Sequence, residues 1–164
     1  MKLSEAQLIA RKYQNKLKEF CLYRELLDYY CDIAGSVIRE KPEVKDIEIV
    51  CIPDLNRYLQ FVHCVEELEK IKGEATGKHT QRLLPEGINL DLFMVESRNF
   101  GLQKMIRTGP AEFSKRMMWE VKEKGFYVKD GFLWKNSGEM APVREEKDFF
   151  EITGIKWVDP KERN

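Results

Sequence analysis

Several features that would place a protein quickly are missing from this chain. Its 164 residues include only two histidines, His63 and His79, and four cysteines, Cys21, Cys31, Cys51 and Cys64. No two cysteines form a C-x-x-C pair, so a zinc site has few ligands to draw on. Their neighbours are apolar or aromatic, as in "EFCLY" and "IVCIP", and buried free thiols are expected. No apolar run approaches the ~20 residues of a membrane helix. The opening "MKLSEAQLIARKYQ" lacks the apolar block and small-residue cleavage site of a signal peptide. A cytoplasmic protein with no membrane partner is the expectation. There is no internal repeat and no low-complexity segment. Net charge is absent too, with 28 basic and 28 acidic residues, which argues against bulk electrostatic capture of nucleic acid.

What is present reads as globular. Hydrophobic residues make up 43% and charged residues 34%. The length suits one domain or two small lobes, and a domain of this size buries about two thirds of its unfolded surface. Charge is unevenly spread. From Arg98 to Lys129 eight bases face three acids, and Arg107, Lys115 and Arg116 in this stretch are candidate contacts to DNA phosphates. A solvated helix face is the plainer reading of the same charges.

Ser4 and Gln7 have capping-box spacing. Leu8, Ile9, Tyr13, Leu17, Phe20 and Cys21 then recur at helical spacing, and this helix is expected to run into "YRELLD". "YYCDIAGS" and "DIEIVCI" read as strands, the second stopped by Pro53. Asp54 caps a helix with apolar positions at Leu55, Tyr58, Leu59, Val62, Val65, Leu68 and Ile71. Gly73 and Gly77 bound a loop. "KHTQRLL" and "INLDLFMV" form two strands around a Pro85-Glu86-Gly87 turn. A short helix, "NFGLQKMIR", leads to Thr108-Gly109-Pro110, and a second helix runs to about Lys124. "FYVKDGFLW" is a hairpin turning at Asp130-Gly131. "REEKDFFEITG" is a helix closed by Gly154, before a polar tail. The expectation is an α+β fold. Residues 1–97 form a mixed or antiparallel sheet with helices on one side, and residues 98–164 a smaller helix-and-hairpin lobe. A hinge is placed between Arg98 and Gly109.

Residues two apart in a strand share a face. Asp46 and Glu48 therefore point one way, and Asn89, Asp91 and Phe93 share a face of their own strand. If the strands are neighbours, three carboxylates converge. Like charges so close raise one another's pKa, and a divalent cation with oxygen ligands, magnesium or manganese, relieves them. The plainer alternative is that the acids line the solvent side of a half-exposed sheet. Upstream, Gly35 lets backbone amides approach phosphate oxygens, Ser36 offers a hydroxyl and Arg39 a guanidinium. An ordinary turn beside a surface arginine would read the same.

Gly35-Ser36, then nine residues, then Asp46-Ile47-Glu48-Ile49, then a strand bearing Asp91 resembles the nucleotidyltransferase superfamily of DNA polymerase beta. "RTGPAEFSKRMMWEVKEKGFYVKDGFLWKN" is similar to the family X segment with a T-G-S or T-G-P turn, a Phe-bearing helix, a glycine and a hairpin. "REEKDFFEITGIKWVDPKERN" resembles that family's closing segment. The likeness runs in consistent order from about Leu26 to Asn164, and resembles the small family X polymerases of some viruses. A viral chain would work in the host cytoplasm or nucleus.

The resemblance implies a catalytic palm followed by a lobe that closes on the nascent base pair. It implies metal ligands and catalytic acids at Asp46, Glu48 and Asp91. It implies triphosphate contacts at Gly35, Ser36 and Arg39, and a turn against the nucleotide sugar at Thr108 and Gly109. The implied reaction is attack of a DNA 3′-hydroxyl on the α-phosphate of a nucleoside triphosphate, releasing pyrophosphate, in gap filling or primer-end extension and in the service of DNA repair. The expected partners are the triphosphate and primed or gapped DNA, and the expected state is a monomer. With one helix before the palm, the family's lyase domain and helix-hairpin-helix clamp are expected to be missing.

The chain departs from the family pattern at several places. Glu48 stands where aspartate is usual. Ile38 replaces the first of two arginines, and Glu40 follows Arg39 instead of glycine. Asn89 replaces an arginine beside the third acid, and Ile106-Arg107 replaces an aromatic pair that screens the sugar. Two other functions fit these departures. One is template-independent nucleotidyl transfer to RNA, protein or a small molecule. The other is a non-catalytic nucleotide- or nucleic-acid-binding module.

Overall fold

Apolar alternation and glycine turns set the path of the chain, and a computed structural model describes residues 1–25 and 28–163. The chain divides into two compact units, Met1–Val95 and Glu96–Asn164. The first opens with helix α1 (Leu3–Lys18), which buries Ala6, Ile9, Ala10, Tyr13 and Leu17 at helical spacing. A short ribbon of β1 (Tyr23–Arg24) and β2 (Asp28–Tyr29) follows. Next come β3 (Cys31–Ala34), the single-turn helix α2 (Gly35–Ile38) and β4 (Asp46–Cys51). A 3-10 turn (Leu55–Arg57) leads into α3 (Tyr58–Glu66). The unit closes with β5 (Glu69–Lys72), β6 (His79–Leu83) and β7 (Asn89–Met94).

Five of these strands form one sheet in the order β3-β4-β7-β6-β5. β4 and β7 are parallel, and the other neighbours are antiparallel. A parallel pair needs a long crossover, and α3, β5 and β6 supply it. Ile47, Ile49, Leu90 and Leu92 are wholly buried in one core with the inner faces of α1 and α3. This is the expected mixed sheet with helices against one face.

The second unit contains α4 (Phe100–Thr108), α5 (Ala111–Glu123), β8 (Phe126–Lys129), β9 (Phe132–Lys135), β10 (Met140–Ala141) and α6 (Glu146–Thr153), then a 3-10 turn (Pro160–Glu162). Its strands form an antiparallel sheet in the order β10-β9-β8. Leu102, Met105, Phe113, Met117, Leu133, Val143 and Phe149 are among its core residues. Gly154, in the left-handed region at φ 75°, ends α6.

Local signals misled in five places. Ser4 does not cap α1. The chain start is pinned by backbone bonds, Leu3 N–H to Pro42 O at 3.2 Å and Val44 N–H to Met1 O at 2.9 Å, so the helix starts at Leu3. The helix stops at Lys18 instead of entering "YRELLD". There Leu22 N–H donates to Ile52 O at 2.7 Å, and Tyr23 and Arg24 pair with Tyr29 and Asp28. Leu26 and Leu27, within that expected helix, and Asn164 lie outside the described residues.

On α3 the buried face is Phe61, Cys64 and Val65, while Leu55 and Leu59 of the expected stripe are 89% and 80% exposed. Ile71 belongs to β5, an exposed strand with no alternation to reveal it. The tail is not simply polar. Arg163 is 0% exposed, its Nη1 lies 2.5 Å from Glu146 Oε1, and its guanidinium sits 4.8 Å from the Phe113 ring centroid. The four cysteines are buried and free, as expected.

Removing one partner of a buried ion pair strands the other charge. Glu146→Gln should therefore cost about 3–5 kcal/mol. Leu59→Ser, at an exposed position, should stay within about 0.5 kcal/mol. Urea unfolding of both variants checks the contrast.

Candidate active site

In the parallel β4–β7 pair Glu48 lies opposite Asp91, and Asp46 opposite Asn89. Register partners share a face, as do residues two apart, so Asp46, Glu48 and Asp91 belong to one face. The other face carries Ile47, Ile49, Leu90 and Leu92 into the core. β3 adds Ala34 opposite Glu48, and α2 begins at the next residue, which brings Gly35, Ser36 and Arg39 alongside the acids.

Gly35 has φ 70°, a left-handed conformation that favours glycine. A methyl group built on it would fall 1.6 Å from Glu48 Oε2. The space above Gly35 therefore holds the Glu48 carboxylate. Ser36 Oγ is a buried hydroxyl with no hydrogen-bond partner among the described residues. Burying a hydroxyl without a partner is unfavourable, and a phosphate oxygen would satisfy it. Arg39 caps α2, and its charge acts on Asp46. Glu40, at φ 54°, is exposed.

Asp91 is buried, and β6 supplies its partners. Gln81 Nε2 donates to Asp91 Oδ2 at 3.0 Å and to Oδ1 at 3.2 Å. His79 Nε2 lies 2.6 Å from Oδ1, and the His79 ring stacks on Phe93 at 4.6 Å and 8°. Sequence reasoning missed Gln81 and His79, although a signal existed. A hairpin closed at Pro85–Gly87 that pairs Leu83 with Asn89 also pairs Gln81 with Asp91 and His79 with Phe93.

Asp46 has a raised pKa. Burial is the main cause and the charge of Asp91 adds to it, while Arg39, Lys45 and a backbone hydrogen bond partly offset the rise. The donor chemistry of this face fits magnesium or manganese, because carboxylate oxygens suit a hard cation and a cation relieves like charges. As they stand, the side chains are not gathered into a ligand set. Among the described residues no three His, Cys, Asp or Glu groups are placed to hold a metal ion. Glu48 is turned over Gly35, and Asp91 is held by Gln81 and His79.

In the second unit, Thr108 ends α4 and is buried, and Gly109 adopts φ 58° with its N–H donating to Met105 O at 3.2 Å. The peptide bond from Gly109 to Pro110 is cis. Arg107 is half-buried. Lys115 and Arg116 are exposed on α5 and face acids of the same helix, Glu112 at 3.2 Å and Glu120 at 3.8 Å.

The raised pKa of Asp46 fixes the sign of a pH effect. A carboxyl that binds its proton more tightly when folded stabilises the fold below the ordinary aspartate range. That contribution is lost as pH rises through its own midpoint. Asp46→Asn should therefore melt higher than the parent in metal-free buffer at neutral pH, and the gap should close as pH falls below the ordinary aspartate pKa. Thermal melts across pH check this. An Asp91→Asn variant should lower the Asp46 midpoint in a carboxyl NMR titration.

Residues 105–164 match the family model of the DNA polymerase beta thumb. No curated protein matches the chain significantly. The thumb match supports a polymerase-beta-like relationship over that region, and with it DNA binding in general terms.

Proposed function

We propose that the chain is a metal-dependent nucleotidyltransferase of the family X DNA polymerase type. It would join a nucleoside triphosphate to a DNA 3′-hydroxyl and release pyrophosphate. The observation that carries the reading is the shared face of Asp46, Glu48 and Asp91 beside Gly35–Arg39, in a chain whose residues 105–164 match a polymerase thumb. In this reading residues 1–97 are the palm and residues 98–164 close over the nucleotide.

Asp46, Glu48 and Asp91 would hold magnesium or manganese, which would supply charge neutralisation at the phosphates and activation of the attacking hydroxyl. The protein groups do the rest by position. Ser36 donates its unpaired hydroxyl to a phosphate oxygen, and Arg39 balances phosphate charge. Gln81 and His79 orient the Asp91 carboxylate before substrate arrives. Gly35 gives Glu48 room to lie beside the α2 backbone. Thr108 and Gly109 meet the nucleotide sugar, and Arg107, Lys115 and Arg116 meet DNA phosphates.

A second reading is favoured by one observation, the engagement of Glu48 and Asp91 with protein groups. It is a binding module that keeps the fold without turnover. Primer extension on a one-nucleotide-gapped duplex separates the two. Templated addition with magnesium or manganese is expected, and Asp46→Asn or Asp91→Asn should each lower it at least about a hundredfold. Addition that ignores the template moves the reading to a template-independent transferase. DNA binding without addition to any DNA or RNA primer establishes the binding module.

A further inference from the structure

The sheet of β8, β9 and β10 has two unlike faces. Leu133 and Ala141 are buried in the core of the second unit, and Phe126 and Val128 pack beside them. Alternation then sends Tyr127, Phe132, Trp134 and Met140 to the opposite face. The register gives the same grouping, with Tyr127 opposite Trp134, Trp134 opposite Met140, and Phe132 opposite Lys129. These four apolar side chains stay out of the core and are half-buried.

The rings of Tyr127 and Trp134 are nearly parallel, 13° apart with centroids separated by 6.5 Å. The Trp134 indole N–H donates to Lys129 O at 3.1 Å, which fixes the ring. Cations frame the aromatic group. Lys129 is exposed on the same face, and the Arg98 guanidinium lies 5.7 Å from the Phe132 ring centroid. The nearby acids are Asp130 in the turn and Glu96, which pairs with Arg98 at 3.3 Å.

We propose that this sheet face is a stacking platform for unpaired bases of single-stranded DNA. Bases present flat π surfaces once they are unpaired, and preoriented aromatic rings bind them without reading their edges. Lys129 supplies positive charge to a phosphodiester backbone, and Arg98, shared with Glu96, adds to it, which a purely apolar protein partner would not require. Duplex DNA hides its base faces, so it is the wrong form for such a surface. The thumb match over residues 105–164 favours DNA as the polymer. The inference does not depend on chemistry at Asp46 or Asp91. It gives the second unit a hold on an unpaired strand that is separate from the phosphate contacts assigned to Arg107 of α4 and to Lys115 and Arg116 of α5.

The test is fluorescence anisotropy of a short labelled thymidine oligonucleotide with the full chain, without triphosphate or divalent cation. Failure here would therefore leave the transfer reading standing. Tyr127→Leu and Trp134→Leu should each weaken binding about tenfold, and Trp134→Phe should keep most of it. Lys129→Ala should weaken binding and reduce the salt slope by about one. Trp119→Leu, on α5, should change little. Unchanged affinity in Trp134→Leu with an intact melt would overturn the platform, as would an equal loss for blunt duplex DNA. Trp134→Phe falling as far as Trp134→Leu, or tighter binding to a matched uridine RNA than to DNA, would overturn it as well.

Discussion

The parallel pairing of β4 with β7 is the constraint on which the site depends. It sits at the centre of the five-stranded sheet and sets Glu48 opposite Asp91. The pairing is held from the other face. Ile47, Ile49, Leu90 and Leu92 are all completely buried, so a one-residue slip would drive acids into the core and leucines or isoleucines out of it. Burial of the apolar face thus keeps the carboxylates together despite their mutual repulsion.

Each acid has a different local answer to that repulsion. Asp46 keeps a raised pKa, moderated by Arg39 and Lys45. Glu48 reaches over Gly35, where its long arm and the missing side chain fit one another. Asp91 is satisfied by Gln81 and His79 from the adjacent strand. Asn89 lies opposite Asp46 on the same pair of strands, and Glu40 is exposed. Ser36 Oγ is a buried polar atom without a hydrogen-bond partner among the described residues, and it lies where the proposed triphosphate contacts begin.

The second unit repeats the two-faced logic on a smaller sheet. One face joins a core with Phe113 and Phe149, and the other gathers Tyr127, Trp134, Phe132 and Met140 beside Lys129. The buried Arg163 draws the closing segment into this core through Glu146 and the rings of Phe113, Phe150 and Trp157. A buried arginine held by one carboxylate and three rings makes the tail part of the unit's packing.

By itself the sequence determined the strands around Asp46 and Asp91, the faces of their side chains, the glycine turns and the order of the helices and hairpin in the second unit, though not the third strand β10. Alternation and turn chemistry are set by residues close together in the chain, and they survived folding. Only the tertiary structure decided which strands are neighbours, that β4 and β7 run parallel, and that Gln81 and His79 meet Asp91. It also decided that Leu55 and Leu59 face solvent while Arg163 is buried, and that the helix after Lys18 gives way to a ribbon. Each of these depends on a partner distant in sequence. Periodicity says which face of an element is apolar, but the long-range packing that buries a face decides where it goes and which polar groups it brings together.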